Sequence, residues 1–281
     1  MPRASDDVAV QLVKREILSI AQPDVPGFFL HIIRQGLDEV IDGGRTGRWG
    51  VDQLAKTEKT YIGTKVEILT QNALDVGRGD RLDLKICGEE VDVKMTTGTN
   101  WMIPLEARNE ICLLLQGNEG SRLFAAGLLR MTDDNLTSGA NQDKKVSVSA
   151  LGKGNIDWIV PESFLPLNFL ATLTQAQRLR IFAKRRGQAR VTELLRVAIG
   201  KIIPRLVLET VAQQADPMKR IRSNGGARDE LVCEGIVVLV GDWVKHRDIA
   251  VEYGLPILKP GEVISFKTTL ADAIRLNAKF L

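Results

Sequence analysis

Between residues 82 and 94 the chain alternates strictly: Leu82, Leu84, Ile86, Val91 and Val93 are apolar, and Asp83, Lys85, Glu90, Asp92 and Lys94 are charged. Period-two alternation on both sides of Gly88-Glu89 predicts a β-hairpin, with glycine at the first loop position suiting a two-residue type II′ turn. In that register Cys87 pairs with Glu90, Lys85 with Asp92 and Asp83 with Lys94. Successive side chains point to opposite faces of a strand, so the five charged residues share one face and the apolar set packs into a core.

Upstream, helix-period stripes predict helices over 7–21 and 26–42, the second carrying Phe28, Ile32, Ile33, Leu37, Val40 and Ile41 and stopped by Gly43-Gly44. Residues 61–75, which contain Glu67, read as a further helix, and 75–80 as a turn-rich loop. Downstream, the pattern predicts a helix from about Pro104 with Leu105, Ile111 and Leu114. It then predicts a strand over 121–131 buried on both faces, a polar loop over 133–145 and a short strand over 146–151. Pro161 and Pro166 bracket an expected linker. Beyond it lie helices over 173–186, 189–200 and about 204–214, and a basic loop over 219–228 around Asn224-Gly225-Gly226. A strand over 234–240, a helix or turn over 244–253 and a hairpin over 255–266 centred on Lys259-Pro260-Gly261 complete the chain.

The expected fold class is α/β (α+β), in two domains: residues 1–162, a linker at 163–171, and 172–281. With 44% hydrophobic and 26% charged residues, the composition is that of a soluble globular protein. No apolar run approaches the roughly 20 residues that span a bilayer, and the first residues carry no signal core, so a cytoplasmic protein is expected. Three scattered cysteines form neither a disulfide framework nor a zinc spacing, and only His31 and His246 represent histidine. That scarcity excludes nucleases and phosphodiesterases built on histidine clusters. Walker loops, dinucleotide fingerprints and nucleophile elbows are all missing from the sequence. His246, between Lys245 and Arg247, reads as a surface residue.

Charge is unevenly distributed. Residues 171–281 carry 19 Lys and Arg against 11 Asp and Glu, whereas 1–170 carry 19 against 24. A basic second half behind an acidic first half suits a DNA-holding module joined to a metal-using one. The basic loops with Arg45 and Arg48, and with Lys219, Arg220, Arg222 and Arg228, are candidate contacts to a DNA backbone; ordinary surface loops are the plainer alternative. Helices with basic turns followed by short strands suggest a winged or helix-turn-helix-like domain.

The commoner reading of an alternating charged face is simple solvation. Against it stands the arrangement of an acid, Asp83, followed nine residues later by Asp92-Val93-Lys94. Mg²⁺ favours one or two carboxylates completed by water and phosphate oxygens, and a lysine two residues from such a ligand can orient water or stabilise phosphorane charge. This spacing resembles the PD-(D/E)xK nuclease core, with Leu82 where many members have proline. With Glu67 sixteen residues before Asp83 and a basic, helix-rich second half, nearly the whole chain resembles the NaeI type of type II restriction endonucleases.

The resemblance implies an N-terminal endonuclease domain with a mixed sheet flanked by helices, and a C-terminal domain with a CAP-like helix-turn-helix. It implies a homodimer cutting double-stranded DNA, with a second DNA copy acting as effector. Glu67, Asp83, Asp92 and Lys94 would then be the active-site residues. Asp83 and Asp92 would hold Mg²⁺, Glu67 would assist directly or through water, and Lys94 would position or help activate the hydrolytic water. Lys85 and Glu90 share the face and compete for these roles, with salt-bridged surface positions as the plainer reading. Two rivals remain: a winged-helix DNA-binding regulator with an inactive nuclease-like dimer domain, and a junction-resolving nuclease with the same core.

Overall fold

The computed structural model describes residues 7–140, 144–214, 216–222 and 225–278. The N-terminal residues read for a signal, part of the 133–145 loop and Asn224 of the basic loop lie outside the described residues. Contacts divide the chain into two units: Leu54–Leu167 together with the residues up to Val40, and Ile41–Gln53 together with the residues from Asn168 onward.

The first unit begins with α1 (Val8–Ala21) and α2 (Val25–Ile41). Asp7 caps α1 by accepting the amides of Ala9 and Val10, and Arg130 holds its carboxyl below the usual range. A short helix, α3 (Gly43–Thr46), follows within the segment assigned to the second unit, and α4 (Lys56–Leu74) returns to the first. The strands are β1 (Leu84–Ile86), β2 (Glu89–Thr96), β3 (Met102–Ile103), β4 (Ile111–Asn118), β5 (Leu123–Arg130), β6 (Leu136–Ala140) and β7 (Val146–Val148). The short helix α5 (Ala150–Gly154) and β8 (Asp157–Phe164) complete the unit. A mixed sheet runs β1-β2-β4-β5-β8, with β2 and β4 parallel and the other neighbours antiparallel. A smaller sheet runs β3-β7-β6.

Four expectations for this unit change. The 82–94 hairpin forms, but its turn is Cys87-Gly88, with φ of 53° and 87°, so Lys85 pairs with Glu90 and Ile86 with Glu89. Positive φ at both turn residues is the type I′ geometry whose twist matches the strands. Because the pairing moves by two positions, every side chain keeps its face, and Asp83 rather than Lys85 comes level with Asp92. The expected helix after Pro104 is a single 3₁₀ turn, Leu105–Ala107, and Ile111 and Leu114 belong to β4. Their run from Ile111 to Leu115 is buried on both faces, as a central strand requires. Pro161 to Phe164, read as the start of a linker, form the end of β8, where Pro161 is tolerated because β8 edges the sheet and its pairing with β5 is bulged, and the two units divide after Leu167. Within the polar 133–145 stretch, β6 forms and pairs with β7.

The second unit contains α6 (Gln175–Phe182), α7 (Gln188–Val197), β9 (Ile203–Pro204), α8 (Arg205–Ala212), α9 (Ala227–Val232), β10 (Ile236–Val240), α10 (Val244–Glu252), β11 (Glu262–Lys267) and α11 (Leu270–Ala278). A reciprocal capping box starts α6, the Gln177 amide donating to Thr174 and the Thr174 amide to Gln177. Its three-stranded sheet runs β10-β11-β9, antiparallel throughout. The expected 255–266 hairpin is only half present. Pro256 and Pro260 remove donors from its first arm, and β11 pairs instead with β10. None of the described helices is long and apolar enough to cross a membrane.

Close approach of α2 to α4 sets where Glu67 sits. A Cβ on Gly36 would lie 2.5 Å from Val66 Cγ2, and a valine on a helix has little rotamer freedom to yield. The clash outweighs the gain of roughly 1 kcal/mol that alanine brings to a helix. Gly36→Ala is therefore expected to destabilise the protein by about 1–3 kcal/mol, read as a lower urea midpoint at unchanged slope.

Candidate active site

Four side chains named from sequence converge on one face of the β1–β2 hairpin and on α4. Buried Ile62, Val66, Thr70 and Leu74 fix one face of α4, which leaves Glu67 half-buried at the edge of that contact. Its pKa is pushed up to about 7, first by burial and then by the neighbouring Asp83 carboxylate.

Asp83 precedes β1, and its Oδ2 accepts the Val93 amide at 2.8 Å, which ties it to the partner strand. Asp92, only 4% exposed, carries the strongest constraint. Its Oδ1 accepts Lys94 Nζ at 2.7 Å, while its buried Oδ2 meets no hydrogen-bond donor. Burial raises its pKa to about 7, against the opposing pull of Lys94, and the Asp83 charge adds to the rise. Burial also works against the charge on Lys94, yet Asp92 and Asp83 hold its pKa above the ordinary lysine value. Lys94 is therefore held as a cation at neutral pH in this setting, with its ammonium aimed at Asp92.

The local sequence explains this placement. Parallel pairing sets Asp92 beside Cys112 of β4, and the wholly buried thiol, raised well above its usual pKa by burial, gives Asp92 an uncharged floor. Trp101 Nε1 donates to Leu115 O and Gln116 Nε2 to Gly98 O, which pins the loop that follows Lys94.

Lys85 and Glu90 occupy the same face with other partners. Lys85 pairs with exposed Asp80 at 2.6 Å. Glu90 accepts the amides of Asp80, Arg81 and Leu82 at 2.9, 3.0 and 2.8 Å, so it fixes the loop that delivers Asp83. Gln71 was not singled out from sequence. It stands one helical turn after Glu67 and donates to the Asp83 carbonyl at 3.4 Å, and its i, i+4 spacing was the available signal.

Crowded, desolvated carboxylates with an unsatisfied buried oxygen suit a hard divalent cation. Among the described residues, no group of three or more His, Cys, Asp and Glu side chains forms a cage by itself. Mg²⁺ does not require one, because it keeps waters and takes substrate phosphate oxygens.

The basic residues named from sequence lie elsewhere. Arg45 and Arg48 fall in the segment grouped with the second unit, not the first. Arg222 is exposed, but Arg228 is 3% exposed and lies over the Trp243 ring at 4.9 Å, because α9 turns it into the interior. His246, expected at the surface, is 1% exposed: its Nδ1 accepts the Val240 amide at 2.9 Å and lies 3.5 Å from Arg228 Nη2. Both contacts require an unprotonated Nδ1.

Two comparisons with known proteins bear on this site. The family described as restriction endonuclease NaeI matches residues 16–277. A type II restriction enzyme, NaeI of Lentzea aerocolonigenes, is 38% identical over 249 residues, covering 86% of this chain and 78% of the relative. The class is thereby defined as restriction endonuclease, a site-specific deoxyribonuclease, which sets aside the readings as an inactive regulator or a junction-resolving enzyme. Within that class, the chain belongs to the NaeI restriction endonuclease family.

His246 supplies a pH dependence for folding. Burial first, and then the Arg228 charge, lowers its pKa to about 3 in the folded protein, against about 6.5 when unfolded. Its contribution is complete above about pH 6.5 and is lost as pH falls towards 3, by up to about 1.4 kcal/mol per pH unit. In urea titrations between pH 7.5 and pH 5, His246→Asn should be less stable at the upper end and decline with a shallower slope than wild type. Parallel declines would contradict this role.

Proposed function

We propose that this protein hydrolyses phosphodiester bonds of double-stranded DNA with Mg²⁺ at the Glu67–Asp83–Asp92–Lys94 cluster. The observation that carries the reading is the buried Asp92 carboxylate, one oxygen bonded to Lys94 and the other lacking any donor. A structural ion pair would satisfy both oxygens; a carboxylate that must meet a cation would not.

Asp83 and Asp92 would hold the metal, and Glu67 would assist them directly or through a water. When bound, Mg²⁺ neutralises phosphate charge and lowers the pKa of a coordinated water. Lys94, fixed as a cation by Asp92, donates to the attacking water or to a non-bridging phosphate oxygen as charge develops there. Its role is orientation and charge stabilisation, since a lysine with a raised pKa makes a poor base. Glu90 and Gln71 are positioning residues, acting through the loop and backbone that carry Asp83.

The remainder of the reading concerns assembly. The protein acts as a homodimer, because a two-fold symmetric enzyme meets a palindromic duplex with the same residues on each strand. The second unit is a winged or helix-turn-helix-like module that holds a further duplex as effector, with Lys219, Arg220 and Arg222 on its DNA side. Its net positive charge and the small antiparallel sheet set among its helices support this.

Plasmid incubated with the protein and Mg²⁺ should yield discrete fragments. Asp92→Ala should abolish cutting, by at least about a thousandfold, while duplex binding measured in Ca²⁺ or EDTA survives. Discrete cleavage persisting in Asp92→Ala would refute the assigned site.

A further inference from the structure

The segment Ile41–Gln53 leaves one unit and packs within the other, and this changes what its arginines are for. Gly43 lies tightly against Thr210 of α8 and 2.8 Å, at a Cβ position, from Arg48 O, so only glycine fits there. Gln213, just after α8, joins two chain segments that are distant in sequence. Its Nε2 donates to Arg45 O at 3.2 Å, and its Oε1 accepts Arg190 Nη1 at 2.8 Å. Arg190 in turn donates to Lys184 O at 3.0 Å and Phe182 O at 3.2 Å, closing the α6–α7 corner.

An aromatic stack stiffens the arrangement. Trp49 lies on Phe182 with centroids 5.3 Å apart and planes at 22°, Arg190 sits over the outer side of Phe182 at 5.2 Å, and Arg178 over Trp49 at 5.7 Å. Four cations stand out from this frame: Arg45, Lys184, Arg185 and Arg186, all exposed. Arg45 is paired with Asp42 at 2.7 Å, yet its side chain remains 87% exposed. Lys184, Arg185 and Arg186 form no ion pair among the described residues. The nearby acids are engaged elsewhere, Glu209 with Arg205 and Glu230 with Gln188. Three consecutive unpaired cations, tied to the Arg45 backbone through Arg190 and Gln213, repel one another, a cost that a polyanion lying across them removes.

We propose that the Ile41–Gln53 crossover and the α6–α7 corner form a single surface that grips the phosphate backbone of double-stranded DNA. It rests on the reading of the second unit as a DNA-holding module, and it names the face involved. Arg45, Lys184, Arg185 and Arg186 contact phosphates without reading bases. Arg190 and Gln213 are positioning residues that keep the two segments in register. The DNA face is thus built from both ends of the sequence rather than from the C-terminal half alone.

The test is a salt series of duplex binding by the full-length protein in EDTA, using a 20-base-pair duplex (about two helical turns). For Lys184→Ala/Arg185→Ala/Arg186→Ala, the slope of log K against log salt should become shallower by about 2–3, since each phosphate contact contributes about 0.9. Adding Arg45→Ala should reduce it further. These are exposed side chains, so an unchanged unfolding midpoint certifies the variants. Wild-type affinity and slope in the triple variant would overturn the proposal. So would a loss confined to Lys219→Ala/Arg220→Ala/Arg222→Ala, which would place the duplex on the other loop. If the wild-type protein fails to bind duplex at all, the DNA-holding reading of the second unit falls, and this surface with it.

Discussion

Burying one carboxylate beside one lysine, on the second strand of a mixed sheet, is the constraint on which the rest of this site depends. Asp92 loses most of its hydration and recovers only part of it from Lys94, so its second oxygen carries a desolvation cost that no hydrogen bond among the described residues offsets. The surroundings are consistent with keeping that oxygen in place. Cys112 provides a neutral neighbour on the inner strand, and the Val93 amide anchors Asp83. Glu90 gathers three backbone amides so that the chain reaches Asp83 in a fixed path, and α4 brings a third carboxylate whose own pKa rises to about 7. Two neighbouring carboxyls with pKa values raised to about 7, next to a lysine held charged, suit a divalent cation.

Much of this was legible in the sequence because it rests on periodicity. Alternation placed Asp83, Asp92 and Lys94 on one face whatever the turn, since a register change of two positions preserves faces. The turn itself was misread, because a glycine can serve either position of a two-residue loop, and the strand twist chose Cys87-Gly88. Other misreadings share a cause: a local pattern was overruled by long-range packing. Ile111 and Leu114 are spaced as on a helix, but the run they belong to fills the centre of the sheet. Pro161 reads as the start of a linker but still belongs to the edge strand β8. His246 and Arg228 looked like surface charges, but each satisfies the other's neighbourhood in the interior. No local pattern reports that Ile41–Gln53 departs for another unit, because that packing is decided by Thr210, Gln213 and Phe182, far along the chain.

The crossover has a consequence for how the two chemistries are linked. The same short segment follows α2 and precedes α4, the helix that carries Glu67. Arg45, on the surface proposed to meet DNA, is therefore about a dozen positions in sequence from the start of the helix that carries Glu67. Family membership places cleavage of specific DNA sites on this chain, and the distribution of charge is economical for that task. Acidic residues outnumber basic ones over residues 1–170, and basic residues outnumber acidic ones over 171–281.

The central claim, that the buried Asp92 oxygen exists to meet a divalent ion, is tested most directly by calorimetric titration of Mg²⁺ into the full-length protein and into Asp92→Asn. The account predicts saturable uptake by the wild-type protein that Asp92→Asn loses or weakens at least tenfold, with its fold intact by urea unfolding. Equal stoichiometry and affinity in the two proteins would contradict it.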